Sequence, residues 1–413
     1  MQNLNLKPDE KSPDLILVNS CIVTESAFRK TRKKCQSLRR KFGDTHLIVF
    51  GCAAKIYHEK CKEIADYICR DYLEVGDLLS ELEIDSRQSL SKRTLTAAPA
   101  AESLAGDSAR ELIPNSQFPN FPEGRTRKLI KIQSGCDNFC SFCLVCLARG
   151  RSQSRSRKEI LDEILRAEDI GFKEIVITGT NIAAFACQKT TDFKSSKFSD
   201  LIFEILEKTK IPRIRFSSLY LQYLDKDFFE LIKNKRICDH FHLSLQHTEN
   251  LILKKMNRPY SQEDIRDICQ KIREIRPNSC LAADIIVGFP FETEEIFRNL
   301  TIELETLPLN RIHVFPFSPR EGTKASEFPL INEKVIKKRA ATLQKIARKK
   351  WDDFLQINSD KTHEVLFETE SFGHSTNYFP VTVKGGNFRN EIMKVKGLSC
   401  CLGKLKKNEK SVI

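Results

Sequence analysis

The sequence predicts an α/β protein of several domains, whose largest part is an open, partial barrel of six parallel strands. At roughly 150 residues per domain, a chain of 413 residues has room for about three domains. Six short apolar segments between residues 127 and 317 alternate with stretches in which apolar residues recur every three or four positions. Such repetition favours parallel strands joined by helices, and six repeats are too few for the closed eight-stranded form.

The composition limits the class of protein. Lys and Arg number 68 against 55 Asp and Glu, which leaves a net charge of +13, and Cys occurs 15 times. No apolar run approaches the roughly 20 residues that cross a bilayer, and the first thirty residues lack a signal-peptide core. We therefore expect a cytoplasmic protein without membrane contact, in which cysteines serve metal or redox chemistry rather than disulfides. The positive charge favours an anionic partner such as nucleic acid.

Two strand–helix units are expected at the amino terminus. The apolar run DLILVNSC ends at Cys21, a basic helix follows from about Glu25 to Lys41, and the second run HLIVFGC ends at Cys52. Neighbouring parallel strands lie about 4.8 Å apart and end at the same edge of their sheet. Cys21 and Cys52 are therefore expected to converge on one ligand.

The chain then divides into four predicted parts. Residues 1–84 form the amino-terminal domain, and residues 85–124, rich in Ser, Ala, Thr and Pro, form a linker or surface excursion. Residues 125–357 form the barrel with a basic helix that Asn332 can cap. Residues 358–413 contain short strands joined by Gly and Asn turns, which favours a small β-barrel.

The barrel strands place polar residues at one rim. The predicted strands are RKLIKIQ (127–133), EIVITGT (174–180), RIRFSS (213–218), HFHLSLQ (240–246), AADIIVGF (282–289) and RIHVFPF (311–317). A cysteine-rich loop follows the first strand, and the later strands end near Gly179 and Asn181, Ser217 and Ser218, Gln246, and Gly288. Chemistry in such barrels takes place at the carboxyl ends of the strands.

The motif with the clearest chemistry is GCDNFCSFCLVC, which spaces Cys136, Cys140 and Cys143 as C-x3-C-x2-C. Three thiolates on a short loop can hold three irons of a four-iron cluster and leave the fourth iron open to a ligand. Zinc would require a fourth ligand at a matching pair spacing, which is absent. Cys146 adds a spacing typical of bacterial ferredoxins, in which protein ligands hold every iron. The other cysteines without ligand spacing are expected to be core or incidental thiols: Cys187, Cys238, Cys269, Cys280, Cys400 and Cys401.

These residues resemble the radical S-adenosylmethionine enzymes, and within them the methylthiotransferases. The resemblance covers nearly the whole chain, through VNSCIVTESAFRK, FGCAAK, KIQSGCDNFCSFC, EIVITGTNI, HLSLQHTENLILKKMNRPY, DIIVGFPFETEEIF, RIHVFPFSPREGTKAS and GHSTNYFPVTV. It implies a truncated Rossmann-like amino-terminal domain, a radical SAM partial (β/α)6 barrel and a carboxy-terminal domain similar to the RNA-binding TRAM fold.

The resemblance also implies a reaction. In this family a four-iron cluster cleaves S-adenosylmethionine to a radical, and a second cluster on the amino-terminal domain supplies sulfur that becomes a methylthio group. The motifs look most like the branch that acts on N6-threonylcarbamoyladenosine beside the tRNA anticodon, at adenosine 37. The alternatives are the branch acting on isopentenyladenosine, modification of a ribosomal protein, and a catalytically impaired RNA-binding or electron-transfer relic. The implied partners are the tRNA anticodon stem-loop and a reductase, and we expect a monomer.

Site residues follow from the same resemblance, matched position by position. Cys136, Cys140 and Cys143 would bind the catalytic cluster, while Cys21 and Cys52 match two of three auxiliary cysteines. The expected S-adenosylmethionine pocket comprises Gly179, Asn181, Ser217, Ser218, Gln246, Asp284, Gly288 and Arg149. The expected RNA contacts are Arg155, which is also a candidate for the S-adenosylmethionine carboxylate, and Lys337, Lys338, Arg348, Lys349, Asn377 and Tyr378.

The chain departs from the family pattern at several positions. A first strand with the third auxiliary cysteine is missing, which indicates either a misplaced start of the reading frame or loss of the second cluster. Cys146 stands where the family has Pro, His247 and Thr248 replace Ser-Gly, and Phe291 replaces a Gly. A fourth thiolate at Cys146 would close the open iron, and Phe291 would crowd a close backbone approach.

Overall fold

A computed structural model describes residues 13–83 apart from 14, 23, 24 and 44, residues 126–185, and residues 197–396. The chain divides into two compact units, Met1–Pro119 and Asn120–Ile413, which are described separately. The predicted linker and the cysteines Cys187, Cys400 and Cys401 lie outside the described residues. Among those residues, no helix is both long enough and apolar enough to cross a membrane.

The first unit contains a three-stranded parallel sheet in the order β1-β2-β3. Its strands are β1 (Leu15–Ser20), β2 (His46–Gly51) and β3 (Tyr67–Cys69), and its helices are α1 (Glu25–Phe42), α2 (Cys52–Ile56), α3 (His58–Lys62) and α4 (Tyr72–Glu83). Helix α1 buries Phe28, Thr31 and Cys35, while most of its cations are exposed. A stripe spaced by three and four residues is what packs a helix onto a sheet.

The six predicted barrel strands are confirmed. They are β4 (Arg127–Ser134), β6 (Glu174–Gly179), β7 (Arg213–Phe216), β8 (His240–Gln246), β9 (Cys280–Val287) and β10 (Arg311–Pro316). All neighbours along this order pair in parallel, with β7 and β8 joined only by isolated bridges, and a short strand β5 (Gln153–Ser154) pairs antiparallel with β4. The barrel is therefore open, and its six carboxyl ends form one rim.

Helices cover the outside of this sheet. They are α5 (Val145–Arg149), α6 (Arg157–Asp169), α7 (Phe198–Lys208), α8 (Lys226–Leu231), α9 (Asn250–Lys255), α10 (Gln262–Ile275) and α11 (Glu294–Thr306), with short 3-10 turns at Ile182–Ala184, Leu221–Tyr223 and Lys324–Glu327. Ser156, Asp225, Ser261 and Thr293 each accept the backbone N–H three residues on, which fixes where α6, α8, α10 and α11 begin. One continuous apolar core joins these helices to the strands, with Ile130, Ile175, Ile214 and Phe241 fully buried or nearly so.

The long helix α12 (Glu333–Ser359) packs against the last two barrel strands, β9 and β10. The Asn332 side chain accepts the Lys334 N–H, as the sequence predicts for a cap. Two of its cations face inward: Arg339 pairs with Glu292 at 2.8 Å, and Lys350 donates to the carbonyls of Glu305 and Leu307. These side chains attach α12 to the barrel instead of facing solvent.

The last strands form a four-stranded antiparallel sheet in the order β13-β12-β11-β14. They are β11 (Thr362–Phe367), β12 (Phe372–Ser375), β13 (Pro380–Thr382) and β14 (Ile392–Lys396). Arg213 and Arg215, both on β7 and both buried, donate to carbonyls of this sheet and its turn, and Glu174 accepts from Arg215 at 2.7 Å. The sheet is thereby fixed against the barrel. That it closes into a small β-barrel stays a prediction.

Candidate active site

Three of the predicted ligands lie together in the loop between β4 and α5. Cys136 and Cys140 are buried and Cys143 is partly buried, and all three are free thiols. The Cys136 N–H donates to the Gly150 carbonyl at 3.1 Å, and the Cys143 N–H donates to the Cys140 carbonyl at 3.0 Å. Backbone bonds, rather than disulfides, therefore shape this loop.

The thiols are close enough to influence one another's pKa values. Burial raises the pKa of Cys143 to about 12, and the charges of Cys140, Cys146 and Cys136 act in the same direction. Burial likewise raises the pKa of Cys136 and of Cys140. In the part of the chain that the structure describes, no three His, Cys, Asp or Glu side chains surround a point where a single metal ion could bind. Cysteine sulfurs are soft donors of the kind that hold iron–sulfur clusters, in which each thiolate binds a separate iron.

Two residues that the sequence analysis missed shape the loop. Gly135 has φ +71°, and a Cβ there would lie 1.9 Å from the Arg151 carbonyl oxygen. The fully buried Gln133 amide donates to the Ser134 and Gly135 carbonyls and accepts the Asn181 N–H at 2.9 Å. Gln133 thus connects the cysteine loop to the turn after β6. An amide side chain at the end of the strand, directly before the cysteine loop, was the available signal.

A further segment supports the loop from the other side. The Ser141 N–H donates to the Met256 carbonyl at 3.1 Å, and the Asn257 side chain donates to the Asn138 and Phe139 carbonyls. Asn257 has φ +59° and Phe139 has φ +45°, values that most side chains avoid. Strained backbone of this kind concentrates at functional sites. These residues belong to the segment MNRPY (256–260), for which the sequence alone predicts no role.

Two predicted pocket residues have buried polar atoms without a hydrogen-bond partner among the residues described. Asn181 is buried beside Tyr223, yet neither of its amide atoms makes a well-formed hydrogen bond to a described residue. The buried Ser217 hydroxyl has no such partner either. Gln246 ends β8 at φ +70°, and Arg149 reaches the Thr180 hydroxyl at 3.3 Å. Buried polar groups are normally hydrogen-bonded, so the Asn181 amide and the Ser217 hydroxyl are available to a ligand.

Other predicted residues have structural partners. Asp284 pairs with His242 at 2.8 Å, and the His242 ring stacks on His313. A Cβ on Gly288, whose φ is +76°, would lie 2.6 Å from the Ile336 side chain, so this glycine lets α12 approach the barrel. Ser218 is half-buried just after β7. Gly179 lies so close to Gln133 that a Cβ there would be 2.9 Å from the Gln133 carbonyl oxygen.

The expected RNA contacts divide into two groups. Lys337, Lys338, Arg348 and Lys349 are exposed on α12, as an RNA surface requires. Arg155 is instead paired with Glu163 at 2.8 Å and donates to the Lys131 carbonyl. Asn377 is buried and donates to the Asn278 carbonyl, and the Tyr378 ring lies between Arg215 and His374. RNA contact by Asn377 and Tyr378 stays a prediction; in the structure their side chains join the last sheet to the barrel, and Arg155 is paired with Glu163.

The auxiliary pair has the expected placement. In the register of β1 and β2, Ser20 lies opposite Gly51, so Cys21 and Cys52 leave the sheet at the same edge. The Ser20 hydroxyl donates to the Phe50 carbonyl and accepts the Ala54 N–H, which holds the two turns together. Cys35, Cys61 and Cys69 are buried in the same unit. That Cys21 and Cys52 bind a cluster stays a prediction.

Two of the departures from the family pattern are absorbed by packing. Phe291 has φ +73°, and its ring packs on Phe328 with the Lys255 ammonium 4.5 Å from the ring centroid. A positive φ is easy for Gly and costs a larger residue roughly 1 kcal/mol. His247 is fully buried and lies 3.4 Å from Glu292, the partner of Arg339.

Comparison with known proteins agrees with this geometry. The Radical SAM superfamily matches residues 130–301, and the Uncharacterized protein family UPF0004 matches residues 1–69. The threonylcarbamoyladenosine tRNA methylthiotransferase MtaB of Rickettsia prowazekii is 31% identical over 89% of this chain and 84% of its own length. MtaB of Aquifex aeolicus is 30% identical over 94% and 91%. The tRNA-2-methylthio-N(6)-dimethylallyladenosine synthase of Desulfotalea psychrophila is 32% identical over 94% and 85%.

A solved structure supports the fold. The radical S-adenosylmethionine methyltransferase TsrM of Kitasatospora setae, with cobalamin and a [4Fe-4S] cluster bound, superposes with a TM-score of 0.54 at 15% identity. The match covers 77% of this chain and 64% of TsrM, so the chain spans less than two thirds of that protein. Both proteins share the radical SAM fold. With its family matches and its relatives above 30% identity, this chain belongs to the radical SAM methylthiotransferases.

Proposed function

We propose that this protein adds a methylthio group to C2 of N6-threonylcarbamoyladenosine in tRNA, at adenosine 37 beside the anticodon. The observation that carries the proposal is the cysteine loop: three free thiols, Cys136, Cys140 and Cys143, at the carboxyl end of the first strand of an open barrel. Relatives named for this reaction match over more than four fifths of their length, 84% and 91%.

The chemistry requires a radical because an aromatic C2–H is neither acidic nor a leaving group. A [4Fe-4S] cluster held by the three cysteines, together with S-adenosylmethionine, supplies that radical when bound. The chain's own part is binding and orientation. The unpartnered polar atoms of Asn181 and Ser217 offer hydrogen bonds to a polar ligand, and Arg149 brings a positive charge to the same rim. Lys131, whose pKa is lowered by burial and by the charges of Arg149 and Arg155, adds another.

An RNA partner is supported by two basic helix faces. On α12 the exposed cations include Lys338, Lys345, Arg348 and Lys349. On α1, Arg29, Lys30, Arg32, Lys33 and Lys34 are exposed and make no ion pair within the residues described. Like charges four residues apart destabilise a helix, so a run of them indicates an anionic partner. The TRAM-like assignment of the last sheet, the Rossmann-like character of the first unit and a reductase partner belong to this proposal.

The proposal is tested with the full chain, reconstituted with iron and sulfide without oxygen. We expect a brown protein that releases 5′-deoxyadenosine and methionine from S-adenosylmethionine and forms the methylthio nucleoside in tRNA carrying threonylcarbamoyladenosine. Nucleoside mass spectrometry identifies the product. A colourless protein without cleavage would refute the enzyme, whereas a product only on tRNA carrying isopentenyladenosine would favour the other branch.

Iron content tests the auxiliary site in the same preparation. One four-iron cluster corresponds to about four irons per chain and two clusters to about eight. The proposed reaction takes its sulfur from the second cluster, so about eight irons per chain should accompany formation of the methylthio nucleoside. Cleavage without methylthiolation, at about four irons, is the expected result if Cys21 and Cys52 alone cannot hold the second cluster.

Substitution of Cys146 distinguishes an active enzyme from a catalytically impaired relic. Its Sγ lies 3.8 Å from the Cys143 carbonyl at the start of α5, and its charge affects all three neighbouring thiols. If Cys146 closes the fourth iron, Cys146→Pro gains S-adenosylmethionine cleavage that the parent chain lacks. We expect instead that cleavage changes less than threefold, because an active parent has its fourth iron open. Cys146→Ser serves as the control that removes the thiol without changing the backbone.

Charge reversal on α12 should weaken tRNA binding. We expect the triple variant Lys338→Glu, Arg348→Glu, Lys349→Glu to lose at least tenfold in affinity and to reduce the salt slope by about two to three, because each phosphate contact releases about one counterion. The matched control reverses Lys210, Lys233 and Lys235, which are exposed and precede β7 or β8, at the amino ends of the barrel strands and away from the catalytic rim. Equal loss in both variants would show that only net charge matters, and would contradict a specific surface.

A further inference from the structure

Arg258 lies next to the cysteine loop but has no assigned role. It directly follows Met256 and Asn257, the two residues that hold the loop through backbone and side-chain hydrogen bonds. Only 7% of the residue is exposed. A guanidinium carries its charge at every physiological pH, so a buried cation is fixed in this position.

The immediate surroundings of Arg258 are aromatic. Its guanidinium lies 4.9 Å from the ring centroid of Tyr220 and 5.8 Å from that of Phe142, which sits between Cys140 and Cys143 in the loop. Aromatic faces attract cations and set the plane of the guanidinium. They leave its N–H groups without acceptors, however, since ring faces are weak hydrogen-bond partners.

The hydrogen bonds of Arg258 are incomplete. Neither its Nε nor its Nη1 has a partner among the residues described, and no carboxylate there lies within ion-pair distance. Two other buried arginines differ, because Arg215 pairs with Glu174 and Arg339 pairs with Glu292. A buried, unpaired charge is strongly disfavoured, so unsatisfied donors at this position indicate an anionic ligand.

The ionisable groups that act on Arg258 are phenols and the loop thiols. Its charge lowers the pKa of Cys140 and of Cys136 against the effect of burial, and Tyr260, Cys140, Tyr220 and Cys143 are the groups that raise its own pKa. A four-iron cluster with three thiolate ligands carries a net charge of about −1 when oxidised and about −2 when reduced. Such a cluster would place negative charge close enough to act on Arg258, as the loop thiols do.

We propose that Arg258 is a positioning residue that binds the cluster as a buried counter-charge, with its free N–H groups donating to cluster or thiolate sulfur. The reduced cluster carries one more negative charge than the oxidised one, so a fixed cation stabilises the reduced form more and raises the reduction potential. Arg258 would thereby favour the state that gives an electron to S-adenosylmethionine. This inference rests on the proposed function only in requiring the cluster.

The test compares Arg258→Met, which keeps the length and removes the charge, with Arg258→Lys, which keeps the charge. The readout is the midpoint potential of the reconstituted cluster in the full chain, from a redox titration followed by electron paramagnetic resonance, without S-adenosylmethionine or tRNA. We expect a lower potential for Arg258→Met and a potential near that of the parent for Arg258→Lys. Arg276→Met, which removes a partly buried arginine paired with Asp239 instead, should leave the potential unchanged.

Each result decides the question. An unchanged potential in Arg258→Met overturns the proposal, and a tenfold loss of S-adenosylmethionine affinity alongside it would identify Arg258 as a ligand of that molecule's carboxylate. Loss of iron from Arg258→Met but not from Arg258→Lys supports a counter-charge, whereas loss from both overturns it in favour of a packing role. If the parent forms a cluster but does not modify tRNA, the proposed function fails while this measurement still stands.

Discussion

Cys140→Ala is expected to lose cleavage of S-adenosylmethionine to the background of the assay, a decrease of at least 10³-fold. Cys140 is the central cysteine of the loop, and its thiol electrostatically affects those of both Cys136 and Cys143. Two remaining thiolates cannot hold a four-iron cluster against loss of iron. Iron content, the visible absorption of the cluster and release of 5′-deoxyadenosine measure the effect together.

The matched control for Cys140 is Cys269→Ala. Cys269 is fully buried in the apolar core on α10, in a part of the barrel away from the cysteine loop. Its loss should cost roughly 1 to 2 kcal/mol of stability without changing iron content. Cleavage retained by Cys140→Ala, or lost equally in both variants, would contradict the assignment of the cluster to this loop.

Gly135→Ala is expected to destabilise the barrel unit by more than about 4 kcal/mol and to prevent cluster assembly. The added methyl would lie 1.9 Å from the Arg151 carbonyl oxygen and 2.7 Å from the Gly150 carbonyl oxygen. The Gly150 carbonyl also accepts the Cys136 N–H, so moving it away displaces the first cysteine. Backbone atoms cannot give way as a flexible side chain can, and such overlap forces the loop to refold.

Gly150→Ala separates this clash from backbone strain. Gly150 has φ +73°, nearly the same as the +71° of Gly135, but a Cβ there meets nothing within 4 Å. Its substitution should cost roughly 1 to 3 kcal/mol of backbone strain, because with ψ −164° Gly150 occupies a region that is essentially restricted to glycine. Chemical denaturation of the two apoproteins measures the difference. Similar midpoints for both would show that the close contact at Gly135 relaxes at little cost.

Much of the fold could be predicted because its signals are local. Each barrel strand is a short apolar run between helical patterns, and all six appear in the structure within a few residues of the predicted bounds. The cysteine spacing is also local, since residues 136 to 143 form one loop whatever surrounds it. Cys21 and Cys52 could be placed at one edge because parallel strands end together.

The roles of the polar residues were harder to predict because they depend on distant partners. Arg155 looked like a phosphate contact until Glu163 of α6 was found beside it. The approach of Ile336 of α12 to Gly288 could not be read from the sequence around that glycine. The contacts of Asn377 and Tyr378 with residues of the barrel are equally distant in sequence. No pattern within a segment reports which partner folds against it.

The sequence by itself predicted the order of the strands and the three thiols of one loop, because short-range periodicity and spacing encode them, and its motifs resembled the family that its relatives then showed. Only the tertiary structure decided which charges remain available to a ligand. Arg155, Arg213, Arg215 and Arg339 are paired with carboxylates from other elements, whereas Arg258 is buried beside the cysteines without such a partner among the residues described. The physical reason is that desolvation and pairing depend on three-dimensional neighbours, and burial makes an unpaired charge costly enough to indicate function.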